Sequence, residues 1–74
     1  MHAGFEPLTD RELSVLHLLP ARLTYAQMAN ELEVSLNTVK SHIRAVYRKL
    51  RVESRQAAID RAQQLRLLQP VGRA

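Results

Sequence analysis

The chain has 74 residues, 46% of them hydrophobic and 24% charged, with no cysteine and a net charge of +4 from 11 Lys plus Arg against 7 Asp plus Glu. One small domain of this size leaves little room for a deep catalytic cleft, its apolar content argues against disorder, and the missing cysteines exclude a disulfide framework and thiolate metal sites. No apolar run approaches the roughly 20 residues that span a bilayer and the start MHAGFEP lacks the features of a secretory signal, so a soluble, cytoplasmic chain with no membrane partner is expected.

The basic charge is unevenly placed. Six Lys/Arg residues and one acid, Glu53, fall between Lys40 and Arg55, whereas Glu6, Asp10, Glu12, Glu31 and Glu33 come earlier. Such a distribution favours a polyanionic partner.

Residues 1–7 (MHAGFEP) and 69–74 (QPVGRA) hold both glycines and two of the three prolines, and read as loosely ordered flanks of a core over residues 8–68. Thr9 and Glu12 have the spacing of a capping box and Leu8 and Leu13 that of a hydrophobic staple, so a first helix starts at Asp10. Leu13, Leu16 and Leu19, with Val15 beside them, form its stripe. Pro20 disfavours helical geometry at the residue before it, which ends this helix near Leu19.

Thr24 with Gln27, and Leu23 with Met28, repeat the pattern and start a short second helix carrying Met28, Ala29 and Leu32 inward. Ser35 is the next N-cap, Val34 and Val39 are spaced as a staple, and the fifteen residues after Ser35 contain no proline or glycine. A third, longer helix is therefore expected over Leu36–Leu50. Ser54 caps a fourth, with Ala58, Ala62 and Leu65 on one side and Leu68 extending the stripe. The fold class is all-α.

At about 100° per residue, Val39, Ile43, Val46 and Leu50 cluster in one sector of the third helix, Asn37, Ser41, Arg44 and Arg48 point the opposite way, and Lys40 lies between. The outward side offers amide, hydroxyl, ammonium and guanidinium groups, which suit base edges and phosphates, and it carries no acid. Only about three residues, Glu33, Val34 and Ser35, separate the second and third helices, and the small Ala29 lets the two cross closely, as in a helix-turn-helix. In such a unit the N-terminal half of the second helix reaches the bases. Lys40, Ser41 and Arg44 are then the base-contacting candidates, and Thr24, Asn37, Thr38, Tyr47, Arg48 and Lys49 the candidates for the phosphate backbone.

Each feature also has a plainer explanation. An Arg/Lys-rich helix face is usually a solvated surface, and it takes the tight turn together with the family resemblance given below to lift this one above that reading. Tyr47 could stack, bind a phosphate or cover the edge of the core. His2, His17 and His42 have no ligand spacing, so no metal is expected. Ser35 and Ser54 read as helix caps rather than nucleophiles. No catalytic residue, cofactor or small-molecule ligand is expected.

The segments LTDREL, LTYAQMANELEVSLNTVKSHIRAVYRKL and SRQAAIDRAQQL, spread over residues 8–68, resemble the LuxR-type (GerE-like) helix-turn-helix domain of bacterial transcription regulators. The most specific part covers residues 34–50, with Ser35, Thr38, Val39, Lys40, His42, Tyr47, Lys49 and Leu50 at family positions. The resemblance implies a four-helix bundle whose third helix enters the major groove of double-stranded DNA and whose fourth commonly forms a homodimer on a two-fold site. It puts Lys40, Ser41 and Arg44 at base-reading positions, Thr38 and Lys49 at phosphate-contacting positions, and Ala58, Arg61, Ala62 and Leu65 at dimer contacts.

Within that family, residues 19–50 look like the C-terminal domains of large MalT-like ATP-dependent regulators, which would make the chain an excised output domain. Many members have glycine where this chain has Glu33 and Arg51, and a non-glycine residue held left-handed there costs about 1 kcal/mol. Two other readings share the sequence features. One is an interaction module whose basic face docks an acidic partner such as RNA polymerase or an upstream regulatory domain. The other is a sigma-factor promoter-binding region, which the details between Ser35 and Leu50 disfavour.

Overall fold

The computed structural model describes residues 7–68, so the expected C-terminal flank and all but Pro7 of the N-terminal one lie outside the described residues. Four α-helices occupy that span, α1 (Asp10–Leu18), α2 (Tyr25–Leu32), α3 (Leu36–Leu50) and α4 (Arg55–Gln64), with a 3-10 turn, Leu19–Ala21, between the first two. The bundle is all-α, as the caps and apolar periodicity predict.

Every α-helix start is a side-chain cap. Thr9 Oγ1 accepts the Glu12 N–H at 3.1 Å while Glu12 Oε1 accepts the Thr9 N–H at 3.0 Å. Thr24 and Gln27 make the same reciprocal pair at 3.0 and 2.8 Å. Ser35 and Ser54 each accept the amide three residues on at 3.1 Å. These bonds satisfy donors that a helix N-terminus leaves without an intrahelical partner.

Helices α2, α3 and α4 also end alike. A left-handed residue, Glu33 (φ 58°), Arg51 (φ 61°) or Arg66 (φ 62°), turns the chain. The next N–H then returns to a carbonyl five residues back, Val34 to Ala29 at 3.0 Å, Val52 to Tyr47 at 3.0 Å and Leu67 to Ala62 at 2.8 Å. Val34, Val52 and Leu67 all pack on the core, the apolar contact that accompanies this motif. Glu33 and Arg51 thus adopt the geometry in which glycine is favoured, held there by hydrogen bonding and packing.

The first helix ends where expected, but the conformation of its C-cap and the end of the fourth helix differ from expectation. Leu19 keeps right-handed helical geometry (φ −60°, ψ −43°) despite preceding Pro20. The chain tightens into the 3-10 turn with Pro20 near its start, where the missing N–H costs no hydrogen bond. α4 stops at Gln64, so Leu68 lies beyond the Arg66 turn instead of extending the helical stripe.

The core takes Val15, Leu16 and Leu19 from the α1 region, Met28 and Ala29 from α2, Val39, Ile43, Val46 and Leu50 from α3, and Ala58 and Ala62 from α4. α3 is the hub, packing on each of the other three α-helices. Its inward sector is the apolar one identified in the sequence, which fixes the direction its polar face points. Side-chain bonds add long-range ties. Arg55 donates from Nε and Nη2 to the Leu19 carbonyl at 3.0 and 2.8 Å, and His17 Nε2 donates to the Leu67 carbonyl at 3.1 Å. Among the described residues, no helix is long and apolar enough to cross a membrane.

Candidate nucleic-acid interface

With Val39, Ile43, Val46 and Leu50 buried, α3 exposes Asn37, Lys40, Ser41, Arg44 and Arg48. Lys40 and Arg44 are one turn apart, as are Arg44 and Arg48, and Ser41 lies on the same open side. The helix contributes no carboxylate to this surface. It is a ridge of forked and point-like donors, chemistry that fits the acceptor-rich edges of guanine and the oxygens of a phosphate backbone.

Residues 33–35 join α2 to α3, and both neighbouring helix starts are capped by hydroxyls. Thr24 is exposed at the start of α2, with its Oγ1 taken by the Gln27 amide. Ser35 Oγ donates to Thr38 Oγ1 at 2.9 Å while accepting the Thr38 amide, so half-buried Thr38 helps brace the α3 cap.

Three expected sites are changed by the packing. Lys49 does not stand free on the open face: its Nζ lies 2.8 Å from Glu12 Oε1 and 3.3 Å from the Pro7 carbonyl, with its side chain only 12% exposed. Burial raises the pKa of the Glu12 carboxyl, but the Lys49 hydrogen bond, the Thr9 amide and the Lys49 charge together hold it below its ordinary value. Ala58 and Ala62 are fully enclosed by their own chain, so their side chains offer nothing to a second copy. Small residues are needed there because α4 crosses the core. Of the four expected dimer contacts, Arg61 is exposed and Leu65 is half-buried.

Tyr47 is half-buried, and Tyr25 in the first turn of α2 is near enough to act on its phenol. Burial first, then the Tyr25 hydroxyl, push the Tyr47 phenol up to about 12, against a smaller opposing effect of Arg55. Arg55, the first residue of α4, lowers the Tyr47 pKa by its charge while its guanidinium donates to the Leu19 carbonyl just past the end of α1. Sequence reasoning missed Tyr25, and it missed Glu12 as the partner of Lys49. A signal for the second was present, since Lys49 sits about 100° around α3 from Arg48, off the open face.

A sequence model of the family described as bacterial regulatory proteins, luxR family, matches residues 6–62. The HTH-type transcriptional regulator MalT of Yersinia pestis (strain Pestoides F) is 50% identical over 66 residues, which cover 89% of this chain. The match spans only 7% of the length of that relative. Among solved structures, the response regulator ChrA of a heme-sensing two-component system superposes with a TM-score of 0.81 at 41% identity, covering 85% of this chain and 31% of that one. The transcription factor GerE superposes with a TM-score of 0.77 at 33% identity, covering 82% of this chain and 91% of its own.

Proposed function

The chain belongs to the luxR family of bacterial regulatory proteins, a family of DNA-binding transcription-regulator domains, and from that premise we propose that it reads a specific duplex sequence by inserting α3 into the major groove. The observation that carries the reading is the division of α3 into a buried apolar sector and an acid-free outer sector of Asn37, Lys40, Ser41, Arg44 and Arg48, presented directly after a three-residue turn. Lys40, Ser41 and Arg44, in the N-terminal two-thirds of the helix, contact base edges. Arg48, Asn37 and the capped starts of α2 and α3, with Thr24 and Thr38, face phosphates.

The domain acts as the output part of a transcription regulator, a reading supported by the likeness to MalT. It binds a two-fold symmetric site as a dimer, with Arg61 and Leu65 of the α4 region as the surface members of the expected contact set. RNA polymerase is the further partner.

Selection of bound sequences from a random duplex library with the purified chain tests the reading. Recovery of one half-site motif or its palindrome supports it. Recovery of no enriched sequence, with weak salt-sensitive binding alone, contradicts it.

A further inference from the structure

Lys49, in the last turn of α3, is tied by the fold to a carboxylate, and undoing that tie is unfavourable. Glu12 Oε1 accepts both the Thr9 N–H and Lys49 Nζ, and the side chains of Lys49 and Glu12 are 12% and 9% exposed. For Lys49 to reach a phosphate it would leave a nearly buried carboxylate without its counter-charge. Removing one partner of a buried pair is strongly unfavourable, whereas removing both is often tolerated.

We infer that Glu12 is a positioning residue for DNA binding: it holds Lys49 in a part-buried ion pair, withdraws that ammonium from the phosphates, and so leaves the electrostatic grip of α3 to Lys40, Arg44 and Arg48. The inference rests on the proposed DNA-binding function. The carboxylate acts through Lys49 in two ways. It fixes the C-terminal turn of α3 against the first turn of α1, which sets the direction in which the base-reading side chains project. It also lowers sequence-independent attraction, because each Lys or Arg that neutralises a phosphate strengthens binding to any duplex.

The salt dependence of binding reads this directly, because the slope of log K against log salt changes by about 0.9 for each phosphate that the protein newly neutralises or releases. Wild type, Glu12→Gln, the neutral pair Glu12→Gln/Lys49→Gln and Asp60→Asn are titrated over a salt series on the selected duplex and on a random-sequence duplex. The neutral pair keeps the net charge at +4 and leaves no buried charge unpaired at this site. Asp60, exposed on α4, controls for the single added positive charge of Glu12→Gln.

The neutral pair is expected to share the wild-type slope. Glu12→Gln, with Lys49 released, is expected to steepen the slope by about 0.9 and to bind random duplex about eightfold more tightly at about 0.1 M salt, as that slope implies. Asp60→Asn is expected to leave the slope unchanged. A neutral pair whose slope is shallower by about 0.9 means that Lys49 already grips a phosphate and overturns the inference. So does a Glu12→Gln slope equal to that of Asp60→Asn. Where Glu12→Gln does not fold, the neutral pair decides the matter alone. Failure of the wild-type chain to bind any duplex removes the DNA-binding function itself and this inference with it, an outcome distinct from an altered slope.

Discussion

Glu12 Oε1 in the first turn of α1 lies 2.8 Å from Lys49 Nζ in the last turn of α3, so one ion pair joins the N-terminal end of one helix to the C-terminal end of another. Each charge also sits at the helix end whose dipole favours it, the acid at an N-terminus and the base at a C-terminus. The same carboxylate oxygen completes the α1 capping box. A single side chain therefore starts α1 and anchors α3.

This arrangement makes the fold acid-sensitive. Burial opposes ionisation of Glu12, but Lys49 and the Thr9 amide outweigh it, so the folded carboxyl has a pKa below that of the unfolded chain. The resulting stability is present above the unfolded pKa and is lost as pH falls through the folded one. Urea unfolding at a series of pH values should show stability declining across that acid range in the wild-type chain. The decline should be smaller in Glu12→Gln. Equal declines in both would contradict the assignment.

The left-handed residues predict a rise in stability on substitution by glycine. Glu33 and Arg51 hold φ 58° and 61°, a conformation that costs a side-chain-bearing residue about 1–2 kcal/mol and glycine almost nothing. Part of that benefit is offset by the greater freedom of glycine in the unfolded chain. Glu33→Gly and Arg51→Gly should each stabilise by about 1 kcal/mol, which raises the Tm by roughly 4–8 °C in a domain of this size. Glu33→Gly also removes an acid from a helix C-terminus, where the dipole disfavours it. Thermal unfolding of the two variants measures this, and a lower Tm would count against the left-handed geometry.

Tyr47 supplies an alkaline counterpart. Its phenol ionises at about 12 in the folded chain, against an ordinary value of 10.0. Between those values the unfolded chain has released the proton and the folded chain still holds it, so stability should fall as pH rises from about 10 to about 12. Absorbance titration of phenolate should show a component near 12 that Tyr47→Phe abolishes. A Tyr47→Phe titration curve that retains this component would refute the placement of Tyr47 against Tyr25.

What was legible in the sequence was local. The pairs Thr9–Glu12 and Thr24–Gln27, and the caps Ser35 and Ser54, act over three residues, so their spacing alone located every α-helix start. The helical period likewise separated the buried Val39–Ile43–Val46–Leu50 sector from the open face. The missed contacts are non-local. Glu12 and Lys49 are 37 residues apart, and Arg55 and Leu19 are 36 apart, and no periodicity within one helix can register them. Ala58 and Ala62 show a related ambiguity, because a stripe of small residues looks the same whether it faces its own core or a second copy. Packing alone decided for the core.

Base reading by the open face of α3 is checked by repeating the sequence selection with Arg44→Ala and with Lys40→Ala. Both side chains are exposed and lie outside the core, so both variants should remain folded. Each should relax preference at particular positions of the recovered motif, costing about 1–3 kcal/mol on the wild-type site while leaving the other positions unchanged. Loss of affinity spread evenly over all sequences, with the recovered motif intact, would show that these side chains only hold phosphates and would contradict base reading by α3.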